Sequence, residues 1–388
     1  MSDKFPQKKE GQLNIYVHVS ENSGVGYYRQ FLPAWALRQS GLANVLISDF
    51  RWGEGNHVEP GLEGLFEIMQ WADIVVVGRR DAPQFYAQWG GIREHFNIPI
   101  IIDTDDNVHF VRPQNPGYQG YHPGAESLTW NKYAIHKVFD AITVSTQDLK
   151  DFYIKFNPRI YILPNNLDVK EWDKHEKKQH NDGLTRIGFI CSGAHTEGVN
   201  FIKKPLLEIM QKHPKVKFYI THVFNHFFND FPEDIKKRIE SIPWIKLQDW
   251  PKGVKDLGLD IGLAPLADNM FNRAKSNLRW MEYSLAKMAP IASAVKPYLC
   301  VEDRKTGILV KERGEWFTAM DELITDEKLR YNISEAAYKE IKDKYNIDTN
   351  VSLWEKTYRE VHDKFHEFYG PKKTFIKLKK KGKYQLVK

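Results

Sequence analysis

The sequence contains little cysteine: Cys191 and Cys300 are the only two in 388 residues. Two cysteines in a chain of this length exclude a disulfide framework and are typical of a reducing compartment. The sequence also has no Cys/His cluster at metal-ligand spacing, which argues against a structural zinc site. We therefore expect a cytoplasmic protein that is stabilised by its apolar cores.

Long apolar runs are absent as well. Because no stretch of about 18 apolar residues occurs, the sequence predicts no transmembrane segment. The first residues, MSDKFPQKKEGQ, are polar and do not resemble a secretory signal. In contrast, 42% of the residues are hydrophobic and 27% are charged. These proportions are typical of a globular protein with well-formed cores.

Negative charge is missing from the end of the chain. The net charge is +6, but the last 18 residues, 371–388, hold eight lysines and no acidic residue, so the rest of the chain is slightly acidic. The sequence therefore predicts a basic tail that contacts nucleic acid, anionic lipid or an anionic glycan. A loose, solvated terminus is the alternative.

Short apolar segments alternate with amphipathic ones along most of the chain, which predicts parallel sheets covered by helices on both faces. The first set of predicted strands comprises 13–19, 44–48, 73–78, 98–103, 140–145 and 160–164. The pattern then restarts with 185–191, 216–223, 259–266, 289–294 and 307–310. We therefore predict an α/β protein with two Rossmann-like, doubly wound domains that face a central cleft.

The polar segment 169–184 separates the two sets of strands and has the composition of a linker. We expect an amino-terminal domain over 1–175 and a carboxyl-terminal domain over 176–345. A helix over 346–370 then crosses back to the amino-terminal domain, and 371–388 form the tail. Ligands in such folds bind at the carboxyl ends of the strands, where loops and helix amino termini meet.

The loop after the first strand, SENSGVGYYRQ (20–30), contains a GxG pattern. Gly24 and Gly26 allow the backbone to approach a ligand closely, and the following helix amino terminus favours an anion. Tyr27 and Arg29 belong to the same candidate site. The third glycine of the dinucleotide fingerprint is absent, so a simple strand–helix turn is the alternative.

Several acidic residues follow the fourth predicted strand. Asp103, Asp105, Asp106 and Asn107 can hold a divalent metal, orient a sugar hydroxyl or supply a base, or they can cap a turn. An Asp-x-Asp after an apolar strand is also typical of single-domain, metal-dependent glycosyltransferases. A complete second α/β set follows in this chain, which argues against that class.

The most informative segment is LDIGLAPLADNMFNRAKSNLRWMEYSLAKMAPIASAV (259–295). If a helix begins near Ala274, then Lys275, Arg279 and Glu282 lie on one of its faces. The two cations can neutralise a diphosphate, and the glutamate can accept hydrogen bonds from ribose hydroxyls. Free amides at the start of the helix add to the anion site, near Ser276 and Asn277. An amphipathic helix with a solvated charged face is the alternative.

This segment resembles the donor-binding signature of the GT-B glycosyltransferases, especially the retaining group with sucrose synthase-like and glycogen synthase-like enzymes. Glu282, followed by YSLAKMAPIAS, matches the glutamate that binds the donor ribose. The first acidic residue of the signature falls on Ala274 here. Its role at the transferred sugar then passes to Asp268, Asn269 or Asn272.

Other segments resemble the same family in the same order. SGVGYYRQFLPAWAL is similar to the opening loop and helix of bacterial and phage-encoded members, and FDAITVSTQDLKDFY and YILPNNLDVKEW are similar to the end of their first domain. ICSGAHTEG (190–198) stands at the first donor-domain loop, which often carries an arginine and a lysine. Here Ser192, Gly193 and His195 occupy that loop, and Lys275 and Arg279 replace its cations. The resemblance covers most of 13–368.

The resemblance implies transfer of a hexose from a UDP- or GDP-sugar to a hydroxyl of a glycan, lipid-linked or small-molecule acceptor. It also implies retention of configuration and no permanently bound cofactor or metal. The candidate catalytic residues are His195, Asp105, Asp106 and Asp268, although His195 is alternatively a structural histidine. Two other classes stay open: a DNA-base glycosylating enzyme or nucleic-acid binder that uses the tail, and a catalytically inactive scaffold.

Overall fold

The structure is a computed structural model that describes residues 5, 7, 9–48, 62–191, 195–377 and 384–387. By its contacts, the chain divides into two compact units. Unit 1 comprises Met1–Asp106, Pro123–Asn165 and Ile347–Lys388, and unit 2 comprises Asn107–His122 and Asn166–Asn346. The domain boundaries inferred from the sequence stay a prediction.

A six-stranded parallel sheet forms the centre of unit 1. Its strands are β1 (Asn14–His18), β2 (Asn44–Ile47), β3 (Ile74–Gly78), β4 (Ile100–Thr104), β5 (Ala141–Val144) and β6 (Ile160–Ile162). They are arranged in the order β2-β1-β3-β4-β5-β6. Strands β1, β3 and β4 are buried over their whole length. Helices cover both faces of a parallel sheet, which is why these strands are continuous apolar runs.

A second six-stranded parallel sheet forms the centre of unit 2. Its strands are β7 (Thr185–Phe189), β8 (Val216–Thr221), β9 (Ile239–Ile242), β10 (Ile261–Ala264), β11 (Ala289–Ser293) and β12 (Ile308–Val310). The order is β12-β11-β10-β7-β8-β9, so the first strand of the unit lies in the middle. This is the strand order of the dinucleotide-binding Rossmann fold.

Helices connect these strands. In chain order they are α1 (Leu32–Ser40), α2 (Leu62–Trp71), α3 (Pro83–Phe96), α4 (Tyr118–Tyr121), α5 (Glu126–Lys137), α6 (Gln147–Tyr153), α7 (Val169–Asp173) and α8 (Thr196–Lys212). The later ones are α9 (Glu233–Lys236), α10 (Trp250–Asp256), α11 (Met270–Arg273), α12 (Leu278–Leu285), α13 (Glu315–Thr325), α14 (Glu327–Lys344), α15 (Ile347–Asn350) and α16 (Ser352–Tyr369). A π-helical turn, Gly26–Phe31, precedes α1. Across the described ranges, no helix is both long and apolar enough to cross a membrane.

The predicted α/β architecture is confirmed. All eleven predicted strands are present, and each observed end lies within two residues of the predicted one. Strand β9 at the edge of the second sheet was not predicted. The polar segment expected to be a linker is part of unit 2: the Lys255 ammonium donates to the carbonyls of Trp172 and His175, both at 2.8 Å, and Trp172 is buried.

The last helices pack in unit 1, as predicted for a helix that returns to the amino-terminal domain. Helices α15 and α16 both contact α1. The guanidinium of Arg359 in α16 also donates to the carbonyl of Gly11, with Nη2 and O 2.9 Å apart. The last two helices therefore belong to unit 1, the unit in which the chain begins.

Lys372, Lys373 and Phe375 of the basic tail contact earlier parts of unit 1. Strands β13 (Thr374–Lys377) and β14 (Tyr384–Val387) form an antiparallel pair. The Phe375 ring stacks on His95, with 4.6 Å between ring centroids. The backbone of Phe375 also exchanges two hydrogen bonds with the side-chain amide of Gln70. Binding of the tail to nucleic acid or an anionic surface stays a prediction.

Candidate functional site

A pocket lies in unit 2 where the strand order reverses. The connections leave the neighbouring strands β7 and β10 in opposite directions, which opens a crevice at their carboxyl ends, the usual ligand site of such sheets. The lining comes from three parts of the chain: His195, Glu197 and Gly198 after β7; Pro265, Leu266, Ala267, Phe271 and Asn272 after β10; and Arg112, Gln114 and Asn115 from 107–122.

A buried tyrosine holds the two strand ends together. The hydroxyl of Tyr283 in α12 donates to the carbonyl of Leu263 at 3.1 Å and accepts from the amide of Ile190 at 3.1 Å. At Gly262, a Cβ would lie 2.5 Å from the Tyr283 ring, so only glycine leaves room for it. These contacts fix the floor of the crevice.

Helix α8 begins at the pocket. Its first turn lies so close to the end of β10 that a Cβ at Gly198 would stand 2.7 Å from the carbonyl oxygen of Pro265. The helix is 17 residues long. The positive end of its dipole therefore favours an anion beside His195, the residue that precedes the helix.

His195, which lines the pocket, is in contact with Arg279 of α12. Arg279 Nη2 donates to His195 Nε2 across 3.3 Å, which places the imidazole proton on Nδ1. Burial and the positive charges of Arg279 and Lys275 lower the pKa of His195 well below its usual value. His195 is therefore neutral at physiological pH, and two cations stand next to it.

The single helix predicted from Ala274 is wrong. Two short helices, α11 and α12, occupy this segment, and Lys275 and Ser276 lie between them. The first helix forms because the side chain of Asn269 caps it, accepting from the amide of Asn272 at 3.0 Å. Asn277 immediately precedes α12. Helix α12 therefore starts four residues after Ala274, and Lys275 lies in the connecting turn instead of on the helix.

Glu282 lies on α12, as predicted, and only 7% of its surface is exposed. Its Oε1 accepts from the indole nitrogen of Trp250 at 2.9 Å. Trp250 was not singled out in the sequence. Its contact sets the orientation of the carboxylate, and a role of Glu282 at a ribose stays a prediction.

Asp268 and Asn272 have different surroundings. Both carboxylate oxygens of Asp268 accept from Arg273, at 2.6 and 2.9 Å, and this ion pair is half exposed. The Arg273 guanidinium lowers the pKa of Asp268. Asn272 is buried and donates to the carbonyl of Ala267 at 3.0 Å, so its side chain shapes the loop that lines the pocket.

In unit 1, Arg29 binds other residues of the fold. Its guanidinium makes a two-point ion pair with Asp103 and also donates to the carbonyl of Leu163 at 2.5 Å and to Asn165 at 2.9 Å. Asp103 accepts a further hydrogen bond from Thr143 at 2.6 Å. This network joins the first loop to the ends of three strands.

Gly24 and Gly26 of the first loop differ in the space that a side chain would have. At Gly26, a Cβ would collide with the backbone carbonyl of Glu21, so this glycine allows the loop to fold back on itself. Gly24 has open space where a Cβ would stand. The Tyr27 ring stacks on Phe31, with centroids 5.9 Å apart.

Asp105 and Asp106 follow β4 at the carboxyl edge of the first sheet. Burial and the neighbouring charge of Asp106 raise the pKa of Asp105 to about 7, although the cations Arg29 and Arg79 oppose the shift. A carboxyl group with this pKa can accept or release a proton near neutral pH.

Gly193 lies outside the described residues. Within the described parts of the chain, no three His, Cys, Asp or Glu side chains are grouped in a way that could hold a metal ion. The polar residues that the sequence did not point to are Arg112, Gln114, Asn115, Glu197 and Trp250. Glu197 stood two positions from His195 in the candidate loop, whereas nothing in the sequence connects Arg112 with this pocket.

No protein-family model and no curated protein sequence matches the chain, but solved structures do. HepE of Anabaena, solved with UDP and glucose, is 11% identical, with a TM-score of 0.62 over 90% of this chain and 100% of HepE. Sucrose-phosphate synthase from Thermosynechococcus elongatus is 12% identical, with a TM-score of 0.64 over 91% and 100% of the two chains. A glycosyltransferase from Rickettsia africae is 12% identical, with a TM-score of 0.61 over 92% and 100%. With its two Rossmann-like units, each built on a parallel six-stranded sheet, this chain has the GT-B glycosyltransferase fold.

Proposed function

We propose that the protein is a retaining hexosyltransferase that moves a sugar from a nucleoside-diphosphate sugar to a hydroxyl acceptor. The observation that carries the proposal is the contact of Arg279 with neutral His195, beside Lys275, at the carboxyl edge between β7 and β10. HepE, a neighbour in fold, has been solved with UDP-glucose, which supports a nucleotide sugar as the donor.

The proposed chemistry depends on stabilising the leaving group. As the bond between the sugar carbon and the phosphate oxygen breaks, negative charge grows on the nucleoside diphosphate. Lys275, Arg279 and the first amides of α8 and α12 provide positive charge and donors for it, without reorganisation during the reaction. Glu282 accepts the hydrogen bonds of the ribose hydroxyls in this proposal.

The acceptor hydroxyl loses its proton as the new glycosidic bond forms. We assign this proton to Asp105, because burial and then the charge of Asp106 raise its pKa to about 7, which suits proton transfer near neutral pH. The acceptor is a glycan, a lipid-linked molecule or a small molecule. Asp268 is already paired with Arg273, so we give it a role in shaping the donor loop.

The first test is thermal unfolding with UDP, GDP, UDP-glucose and GDP-mannose, in the absence of added metal. A ligand present at about 100 times its dissociation constant stabilises a protein by about 2.7 kcal/mol. We expect one nucleotide class to raise the melting temperature of the wild type. The shift should be lost in Arg279→Ala and retained in Arg38→Ala, a control that removes an exposed arginine of α1.

Two results would contradict the proposal. If nucleotides bind only with Mn²⁺ and this binding is lost in Asp105→Asn, the aspartates of unit 1 are the donor site. If nucleotides bind but no nucleoside diphosphate is released from any donor with a panel of hydroxyl acceptors, the protein is a binding scaffold.

A further inference from the structure

The segment 107–122 leaves the first sheet after β4 but packs in unit 2. Its 3-10 turn, Val108–Phe110, contacts α11. Beyond it, the amide of Asn115 donates to the carbonyl of Arg112 at 2.9 Å, and the side chain of Asn115 accepts from the amide of Gly117 at 2.8 Å. These bonds fix a turn that carries Arg112 to the pocket.

Arg112 brings a positive charge to the pocket and has no ion-pair partner in the described ranges. Its side chain is exposed, and across 9–48, 62–191 and 195–377 it has no hydrogen bond or ion pair. A guanidinium offers five N–H donors and no acceptor. Arg112 can therefore donate several hydrogen bonds to a bound molecule at no cost to the fold.

Glu197 brings a negative charge and hydrogen-bond acceptors to the same pocket. It lies in the first turn of α8, where the helix dipole favours a carboxylate. Oε2 accepts one hydrogen bond, from Asn269 Nδ2 at 3.2 Å, and among the described residues Glu197 has no ion pair. The carboxylate can therefore accept further hydrogen bonds from a ligand.

A pocket with one carboxylate and one guanidinium suits a neutral ligand with many hydroxyls. Each sugar hydroxyl can donate one hydrogen bond and accept another, so neighbouring hydroxyls can bind Glu197 and Arg112 together. Because the two charges are opposite, the pocket has no net attraction for an anionic group, and Glu197 repels one that lies beside it. The cations next to His195, namely Arg279 and Lys275, remain for the diphosphate.

We infer that Arg112 and Glu197 form the sugar subsite of this pocket and select a nucleotide sugar whose sugar is uncharged. The inference rests on the proposed function and deepens it. It assigns specificity to two residues that the chain brings from separate places to the carboxyl edge of the second sheet.

Titration calorimetry with UDP, UDP-glucose and UDP-glucuronate tests this inference, with GDP and GDP-mannose in parallel. Arg112→Ala should leave affinity for the nucleoside diphosphate within about twofold of the wild type. It should weaken binding of the neutral nucleotide sugar about tenfold, which is the loss of one hydrogen bond to a charged group. Glu197→Gln keeps an acceptor for Asn269 and removes the negative charge, so it should raise the affinity for UDP-glucuronate relative to UDP-glucose about tenfold.

Arg38→Ala and Glu208→Gln are the matched controls, because Arg38 is exposed on α1 and Glu208 lies farther along α8. Both should bind every ligand as the wild type does. If Arg112→Ala weakens UDP as much as UDP-glucose, Arg112 contacts the diphosphate and the inference is wrong. If neither pocket variant changes the ratio between the two nucleotide sugars, it is also wrong. A wild type that binds no nucleotide overturns the proposed function itself.

Discussion

Arg29 and Asp103 form a two-point ion pair inside unit 1. Nε lies 3.0 Å from Oδ1, and Nη2 lies 2.7 Å from Oδ2. The side chains are 1% and 2% exposed, and Thr143 and Asn165 complete their hydrogen bonds. The sequence placed Arg29 in a ligand-binding loop, but its guanidinium is engaged in holding the fold together.

Removing the charge of Asp103 should therefore destabilise the protein strongly. Asp103→Asn leaves the buried Arg29 without its counter-ion, which we expect to lower the free energy of unfolding by about 3–5 kcal/mol. Unfolding in urea measures this loss. The control is Asp343→Asn, which breaks the exposed ion pair with Lys339 and should cost less than about 1 kcal/mol. Equal losses of unfolding free energy in the two variants would show that the buried ion pair stabilises the protein no more than the exposed one does.

Asp105 should make stability depend on pH. Its pKa is about 7 in the folded protein and near 3.8 in the unfolded chain. The folded state therefore binds more protons between these values, and the free energy of unfolding falls as pH rises through this window and levels off above it. Asp105→Asn removes this term, so its stability relative to the wild type should increase by about 2.6 kcal/mol from about pH 5 to about pH 8.

Urea unfolding at several pH values measures the effect, and Asp106→Asn supplies the control. Because the charge of Asp106 raises the pKa of Asp105, removing it should move the upper end of the window to lower pH. A difference between Asp105→Asn and the wild type that is constant with pH would contradict the assignment.

The neutrality of His195 should depend on Arg279. Burial is the largest cause of its low pKa, and Arg279 contributes more than Lys275. We expect Arg279→Ala to raise the pKa of His195 towards its usual value, and Lys275→Ala to raise it less. An NMR titration of the histidine ring protons measures both shifts, with the remaining histidines as internal references. An unchanged pKa in Arg279→Ala would show that burial alone keeps the ring neutral.

The carboxyl-terminal tail should contribute to the stability of unit 1. The Phe375 ring contacts Phe66 and Phe96 as well as His95. Phe375→Ala should lower the free energy of unfolding by about 2 kcal/mol, because it removes a large, partly buried side chain. Phe368→Ala is the matched control: its ring is 78% exposed, and its loss should change stability by less than about 0.5 kcal/mol. Similar values for the two variants would mean that the tail is not docked in solution.

Much of the fold could be predicted because parallel strands that are buried on both faces appear in the sequence as apolar runs. Strands β3 and β4 are examples, since all of their residues are buried. Strand β9, Ile239–Ile242, lies at a sheet edge and has the sequence IESI, in which polar residues interrupt the run. Its pairing with β8 decides its structure, and pairing is not visible in a single segment.

The positions of the candidate site residues could be predicted where they depend on local spacing along a helix. Arg279 and Glu282 are three residues apart on α12, so helical spacing alone places them on neighbouring parts of one face. The start of that helix was misplaced because the side chain of Asn269 caps a separate turn first. The contact between His195 and Arg279 joins residues 84 positions apart. Tertiary packing alone brings such residues together, and this holds for Arg112 as well.

The route of the chain limits how the molecule can be divided into fragments. The chain enters unit 2 after Asp106, returns at Pro123, enters again after Asn165 and leaves after Asn346. A gene fragment that starts at Asn166 would encode the complete second sheet but lose the wall of its pocket that contains Arg112. A fragment that ends at Asn165 would lack α15 and α16, which pack on α1. Fragment swaps with other proteins of this fold therefore need to exchange 107–122 together with 166–346, so that the pocket of unit 2 keeps all of its lining residues.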